Sequence, residues 1–141
     1  MMAAMEPSAA MRHLAPLAGE WTIEARPPGV EPVAGRATFE WTAGGSFLLA
    51  RWEVEHPDFP DGIAVFGPDT QHYFDSRGVA RVYDARLEDG VLTLSRDDPD
   101  FAQRYRGTFD EDGSAIRGAW ERAMDQVTWQ HDFDLDYLRT G

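Results

Sequence analysis

The chain has 141 residues, of which 43% are hydrophobic and 12% aromatic, enough to build the core of one folded domain. Its formal net charge is −12, and it contains no Cys, no Lys and no Asn. This charge argues against nucleic acid or an anionic membrane as a partner. The composition excludes disulfides, thiolate metal sites and cysteine or lysine nucleophiles.

The N-terminal residues have no basic region followed by an apolar run, so they do not resemble a secretory signal. No apolar stretch reaches the roughly 20 residues that a helix needs to cross a bilayer. We therefore expect a cytoplasmic protein with a flexible N-terminus at residues 1–7 and a single domain over residues 8–141. A small molecule is the expected partner, and a homodimer remains open.

One short helix is predicted near the N-terminus. Ser8 is a suitable N-cap, Ala9–Leu14 would form the helix with Met11 and Leu14 on one side, and Pro16 would end it. A helix this short is stable only when it packs against another element, such as the end of a barrel.

From Leu17 onward the hydrophobic pattern alternates with period two, which is typical of strands that have one buried face. Turn sequences separate about ten such segments at the spacing of an all-β barrel or sandwich. A meander of this kind most simply avoids open edges by closing into an antiparallel barrel; an open sandwich is the alternative. The predicted strands are 19–26, 36–42, 46–55, 63–66, 70–75, 79–87, 91–95, 101–109, 116–122 and 127–137.

Two of these strands leave open which side chains face the interior. In 46–55 we favour Leu48, Ala50, Trp52 and Val54 inward, which leaves Arg51 and Glu53 in solvent. The alternative turns Phe47, Leu49, Arg51 and Glu53 inward and makes Arg51 and Glu53 an internal ion pair. In 70–76, either His72 and Phe74 or the set Gln71, Tyr73 and Asp75 could line the interior, and neither set is purely apolar. On the next strand Arg81 and Tyr83 share a face. If that face is inward, an Arg there favours a ligand that carries a carboxylate.

The last predicted strand, Val127–Tyr137, alternates without interruption between apolar or aromatic residues and polar ones. His131 falls in the apolar set. We therefore predict that this strand closes the barrel and that the imidazole of His131 points into its cavity.

The segment Leu17–Trp21 after a short helix resembles the Gly-x-Trp opening of calycin-type barrels, the lipocalins and fatty-acid-binding proteins. The following segment, Phe39–Leu48 with its Trp-x-x-Gly-Gly-x-Phe-Leu pattern, resembles the lipocalin-like bacterial family catalogued as DUF1579. This resemblance covers about residues 14–139. It implies an antiparallel β-barrel of about ten strands with a ligand-sized interior, and it implies little about function because that family has no established ligand or activity.

A more distant resemblance is to nitrobindin, a ten-stranded barrel that binds haem through a His near its C-terminal end. In this chain His131 is the residue that matches by position. The resemblance implies haem b as an alternative ligand, with His131 as its axial ligand.

Catalytic motifs are not visible. None of the five Ser stands in a triad context, and the four His, at positions 13, 56, 72 and 131, do not have a metal-ligand spacing. We assign no catalytic residue, metal or resident cofactor, and keep a small barrel enzyme with His131 as acid or base as a third hypothesis. The leading hypothesis is binding of an apolar or aromatic compound inside the barrel. Its predicted contacts are His131, His72, Tyr83, Tyr105, Trp41, Trp52, Trp120, Trp129 and Arg81.

Overall fold

The computed structural model describes residues 6–42 and 44–141, and within them it contains one 3₁₀ helix and ten strands. The helix spans Ala9–Leu17. The strands are β1 Gly19–Arg26, β2 Val33–Thr42, β3 Phe47–Val54, β4 Gly62–Phe66, β5 Thr70–Asp75, β6 Ala80–Glu88, β7 Val91–Arg96, β8 Ala102–Phe109, β9 Ala115–Ala123 and β10 Gln130–Arg139.

All ten strands join in one closed antiparallel barrel in which each strand pairs with its sequence neighbours and β1 closes onto β10. The predicted barrel is therefore confirmed, and the sandwich alternative is wrong. Short turns make this order possible. In the β6–β7 hairpin, Asp89 and Gly90 connect the paired residues Glu88 and Val91. Their φ angles are 53° and 73°, and a two-residue type I′ turn requires positive φ at both positions.

The N-terminal helix packs against one end of the barrel, which we call the helix end. Met11, Leu14 and Leu17 are buried there. Their spacing of three places them on one face because a 3₁₀ helix has three residues per turn. Two details of the prediction are wrong: Ser8 makes no side-chain cap, and the helix continues through Pro16 to Leu17.

A contact between the two ends of the chain fixes the helix in place. The Arg139 guanidinium lies 4.0 Å from the centre of the Trp21 ring and donates hydrogen bonds to the carbonyl oxygens of Pro16 and Ala18 at 2.6 and 2.8 Å. The Trp21 indole in turn donates to the Leu17 carbonyl at 2.9 Å. A hydrogen bond from a charged guanidinium to a backbone carbonyl is stronger than one between two neutral groups. A positive charge is also favoured at the C-terminus of a helix.

The prediction for the last strand is wrong in two respects. The strand begins at Gln130, because the Asp125 carboxylate accepts hydrogen bonds from the backbone N–H groups of Val127 and Thr128 and holds that segment in a turn. The ladder then slips between His131 and Phe133, which pair with the consecutive residues Glu121 and Trp120. An extra residue in one strand moves the side chains on its N-terminal side to the opposite face of the sheet from the one that unbroken alternation predicts. His131 therefore points outward, with 51% of its side chain exposed.

Inward and outward facing on β3 follows the favoured alternative. Leu48 and Ala50 are buried, Trp52 is partly buried against the core, and Arg51 and Glu53 are exposed. On β5, where both alternatives were left open, Gln71 and Asp75 are buried and His72 and Phe74 are exposed.

Candidate functional site

The interior differs between the two ends of the barrel. At the helix end the inward side chains are almost completely buried: Trp21, Leu48 and Phe66 have exposures of 0–1%. Trp41 also lies at this end, since it pairs with Leu48. Side chains fill this half, whereas Trp52 and Tyr73 toward the opposite end are only partly buried.

A continuous series of aromatic rings runs through the interior from the Trp52 end. Trp52 stacks on Tyr73 with ring centres 5.4 Å apart and planes at 27°. Tyr73 contacts Tyr83 edge to face at 6.1 Å, and Tyr83 contacts Trp120 at 5.6 Å. Trp120 then meets Tyr105 at 5.4 Å. Of this series Tyr83 and Tyr105 are buried, whereas the other three rings are partly exposed.

Tyr105 occupies its place because two glycines face each other across β8 and β9. Gly107 pairs with Gly118, and an added Cβ on either would lie within 2.6 Å of the Tyr105 hydroxyl. The ring therefore lies flat over both glycines, and its hydroxyl donates to the Leu135 carbonyl at 3.0 Å. Burial strongly raises the pKa of Tyr105, so this hydroxyl stays protonated.

Trp52 is positioned in the same way. Its indole lies over Gly62, where an added Cβ would come 2.2 Å from a ring carbon. The indole N–H donates to the Pro60 carbonyl at 3.2 Å. The loop that carries Pro60 reaches over the end of the barrel, where Phe59 contacts Phe133 at 6.1 Å. The loop thus covers part of this end, and Trp52 remains partly exposed.

Beside Trp52, a polar cluster joins Tyr73, Asp75 and Arg77. The Asp75 carboxylate accepts from the Tyr73 hydroxyl at 2.6 Å and from Arg77 Nη2 at 2.7 Å, and its side chain has 0% exposure. Burial alone would raise the pKa of Asp75, but the hydrogen bonds from Arg77 and Tyr73 outweigh it and lower the pKa. Burial and the bond to Asp75 raise the pKa of Tyr73. Both groups are therefore held in their ordinary neutral-pH protonation states.

A second polar group lies across the barrel and centres on Gln103. Its amide oxygen accepts from the Tyr83 hydroxyl at 2.8 Å and from Arg81 Nη1 at 3.1 Å. Arg81 therefore faces inward. Deeper inside, Gln71 is 8% exposed, and its amide oxygen has no hydrogen-bond partner among the described residues. Buried acceptors are usually satisfied, so this enclosed oxygen is an exception in the barrel interior.

The four histidines all lie in the described part of the chain, and none is on an inward strand face. His131 Nε2 lies 2.9 Å from Asp134 Oδ1 on the outer surface, and His72 is exposed on the outer face of β5. His56 accepts the Asp58 N–H in the β3–β4 loop, and His13 contacts the Pro68 carbonyl. The predictions that His131 and His72 contact an interior ligand are wrong, and a haem inside the barrel does not fit His131 as its axial ligand.

Trp129 also lies outside the barrel. It precedes β10, and the Arg104 guanidinium lies 3.9 Å from its ring centre while bonding to Glu121 on the outer face. The predicted residues that the structure does bring together at the Trp52 end are Trp52, Arg81, Tyr83, Tyr105 and Trp120.

The fold is shared with a solved structure. The chain superposes on the crystal structure of Rv2717c from M. tuberculosis with a TM-score of 0.67 over 96% of this chain and 100% of that one, at 13% identity. A redesigned β-barrel matches with a TM-score of 0.46 over 99% of this chain and 100% of the other, at 14% identity. No protein-family model matches the chain, and no curated protein matches it. At 13% identity the likeness to Rv2717c shows the fold alone.

The predicted ligand contacts did not include Gln103, Gly62, Tyr73 or Asp75, although Tyr73 and Asp75 belonged to one of the two possible inward sets of their strand. The signal for Asp75 was present, because Tyr73 and Asp75 alternate on one strand face with Arg77 two residues later. Gln103 gave no such signal, since its role depends on pairing with Arg96 on β7 and on reaching Arg81 on a strand that is not its neighbour.

Among residues 6–42 and 44–141, no group of three or more His, Asp and Glu side chains is arranged to hold a metal ion. No helix in that part of the chain has the length and apolar character needed to cross a membrane.

Proposed function

We propose that this protein binds a small aromatic molecule at the Trp52 end of the barrel. The observation that carries the proposal is the partial exposure of the stacked Trp52–Tyr73 pair, in a barrel whose other half is filled by buried side chains. Flat aromatic faces that remain accessible at a barrel end can stack with a planar ligand.

The polar groups beside the stack would orient such a ligand. Tyr83 and Gln103 are joined by a hydrogen bond and lie next to Trp120. The Tyr73 and Tyr83 hydroxyls stay protonated because burial raises their pKa values. Each already donates its one proton, Tyr73 to Asp75 and Tyr83 to Gln103, so toward a ligand these oxygens would act as acceptors. This arrangement favours binding over proton transfer, since none of these groups has a pKa shifted toward neutrality.

The test is a titration with N-phenyl-1-naphthylamine, an uncharged probe whose fluorescence rises in apolar surroundings. We expect saturable binding to the wild type, and loss of the stacked indole in Trp52→Leu should weaken it about tenfold, equivalent to about 1.4 kcal/mol. Trp129→Leu is the matched control because Trp129 lies on the outer surface. The proposal fails if the wild type gives no saturable signal or if both variants change the affinity equally.

A further inference from the structure

The wall of the barrel is split between β6 and β7. Their ladder runs from the Glu88–Val91 pair to the Asp84–Ser95 pair and stops there. Ala80–Tyr83 of β6 continue toward the Trp52 end, paired with β5 alone. The segment after β7 turns away instead, since Arg96 bonds to the Asp98 carboxylate at 3.0 Å and to the Phe101 carbonyl at 2.8 Å.

A groove of about 450 Å³ lies along this split. Its apolar part is formed by Phe74, Val82 and Pro99, and Val82 is 53% exposed on the outer face of β6. The polar side chains His72, Arg96, Asp97 and Asp98 line the rest. Arg81, whose side chain turns inward, also lines it. The groove therefore joins an exposed apolar surface to a guanidinium group at the boundary of the interior.

Arg81 differs from the other charged groups of the groove. Asp98 is paired with Arg96, and Asp97 accepts a hydrogen bond from the Gln126 amide at 2.9 Å. Arg81 has no carboxylate within ion-pair distance among residues 6–42 and 44–141, and it donates a hydrogen bond to the neutral amide oxygen of Gln103. A guanidinium has five N–H donors arranged as a fork that fits a carboxylate. The Phe101 ring, 5.7 Å from the guanidinium carbon, supports this side chain from one side.

We infer that this groove is a second binding site, for a small organic carboxylate whose carboxylate lies on Arg81 and whose apolar body lies on Phe74 and Val82. The site opens on the outer surface beside β6, and it shares Arg81 with the polar group around Gln103 at the Trp52 end. The inference goes beyond the proposed function.

Isothermal titration with 2-naphthoate and with its uncharged analogue 2-naphthamide tests the site. A bidentate charge-assisted contact should make the wild type bind naphthoate at least about tenfold more tightly than the amide. Arg81→Gln should abolish this preference. Arg86→Gln is the matched control, since Arg86 lies on the same strand, is exposed and pairs with Glu88, and it should retain the preference. Equal affinities of the wild type for the two probes would overturn the inference.

A change on the outer face separates this site from the interior one. Val82→Glu places a carboxylate in the groove without touching the interior. Like-charge repulsion should then weaken naphthoate binding at least about tenfold. Binding of N-phenyl-1-naphthylamine in the interior should stay unchanged. Val127→Glu, which adds the same charge at another exposed valine, should change neither. If Val82→Glu leaves naphthoate binding intact, the groove is not the site. If naphthoate binds as expected but the uncharged probe does not, the proposed function fails and this inference stands.

Discussion

Replacing Asp75 by Asn should destabilise the barrel, and the effect can be worked out from the contacts of one carboxylate. Its oxygens accept hydrogen bonds from the Tyr73 hydroxyl at 2.6 Å, from the Arg77 side chain at 2.7 Å and from the Arg77 backbone N–H at 2.9 Å. The amide introduced by Asp75→Asn would keep one acceptor oxygen and would turn an N–H₂ group toward a donor. Hydrogen bonds to a charged group contribute about 1.5–3 kcal/mol each. The contribution of Arg77 is smaller because its side chain is half exposed and solvent screens the ion pair. We expect a net loss of about 2 kcal/mol in the free energy of unfolding near neutral pH.

The pH dependence of this loss has a definite sign. The pKa of Asp75 is lowered in the folded state, so between the folded value and the unfolded value of about 3.9 the unfolded chain binds more protons. The stabilisation by Asp75 is therefore complete above that unfolded value and disappears as the pH falls through the folded pKa. The difference in stability between wild type and Asp75→Asn should shrink on acidification.

Urea unfolding followed by tryptophan fluorescence at about pH 7 and about pH 3 measures this difference directly. Asp84→Asn is the control, because Asp84 is an exposed carboxylate on the outer face of β6 that has no ion pair within the described residues. It should have little effect at either pH. A difference for Asp75→Asn that stays constant between the two pH values would refute the reasoning.

Two further substitutions test the packing of the interior. Gly118→Ala should lower the free energy of unfolding by about 1–3 kcal/mol, because its Cβ would lie 2.5 Å from both the Arg106 carbonyl oxygen and the Tyr105 hydroxyl; thermal unfolding measures this, and an unchanged midpoint would contradict the packing. Gln71→Met should raise the free energy of unfolding by about 1 kcal/mol, because it removes a buried amide oxygen that has no partner among the described residues; urea unfolding that shows a clear loss instead would mean that the amide is satisfied in solution.

Much of the fold followed from local pattern. Period-two alternation with frequent turn residues predicted ten antiparallel strands. On β3, keeping the charged side chains in solvent predicted that Leu48 and Ala50 point inward, and both are buried. These features depend on interactions between sequence neighbours, so the sequence determined them by itself. Arg81 and Tyr83 were also correctly placed on one face, and the structure showed that this face is inward.

The site depended on tertiary structure. A single extra residue between His131 and Phe133 turned the imidazole outward, although the alternation of Val127–Tyr137 is unbroken in the sequence. The sequence determined that one face of each strand would be buried, because burial follows apolar character residue by residue. Only the tertiary structure decided where the ladders slip or stop, because register depends on how two strands pair. The same register left Arg81 beside a split wall between β6 and β7.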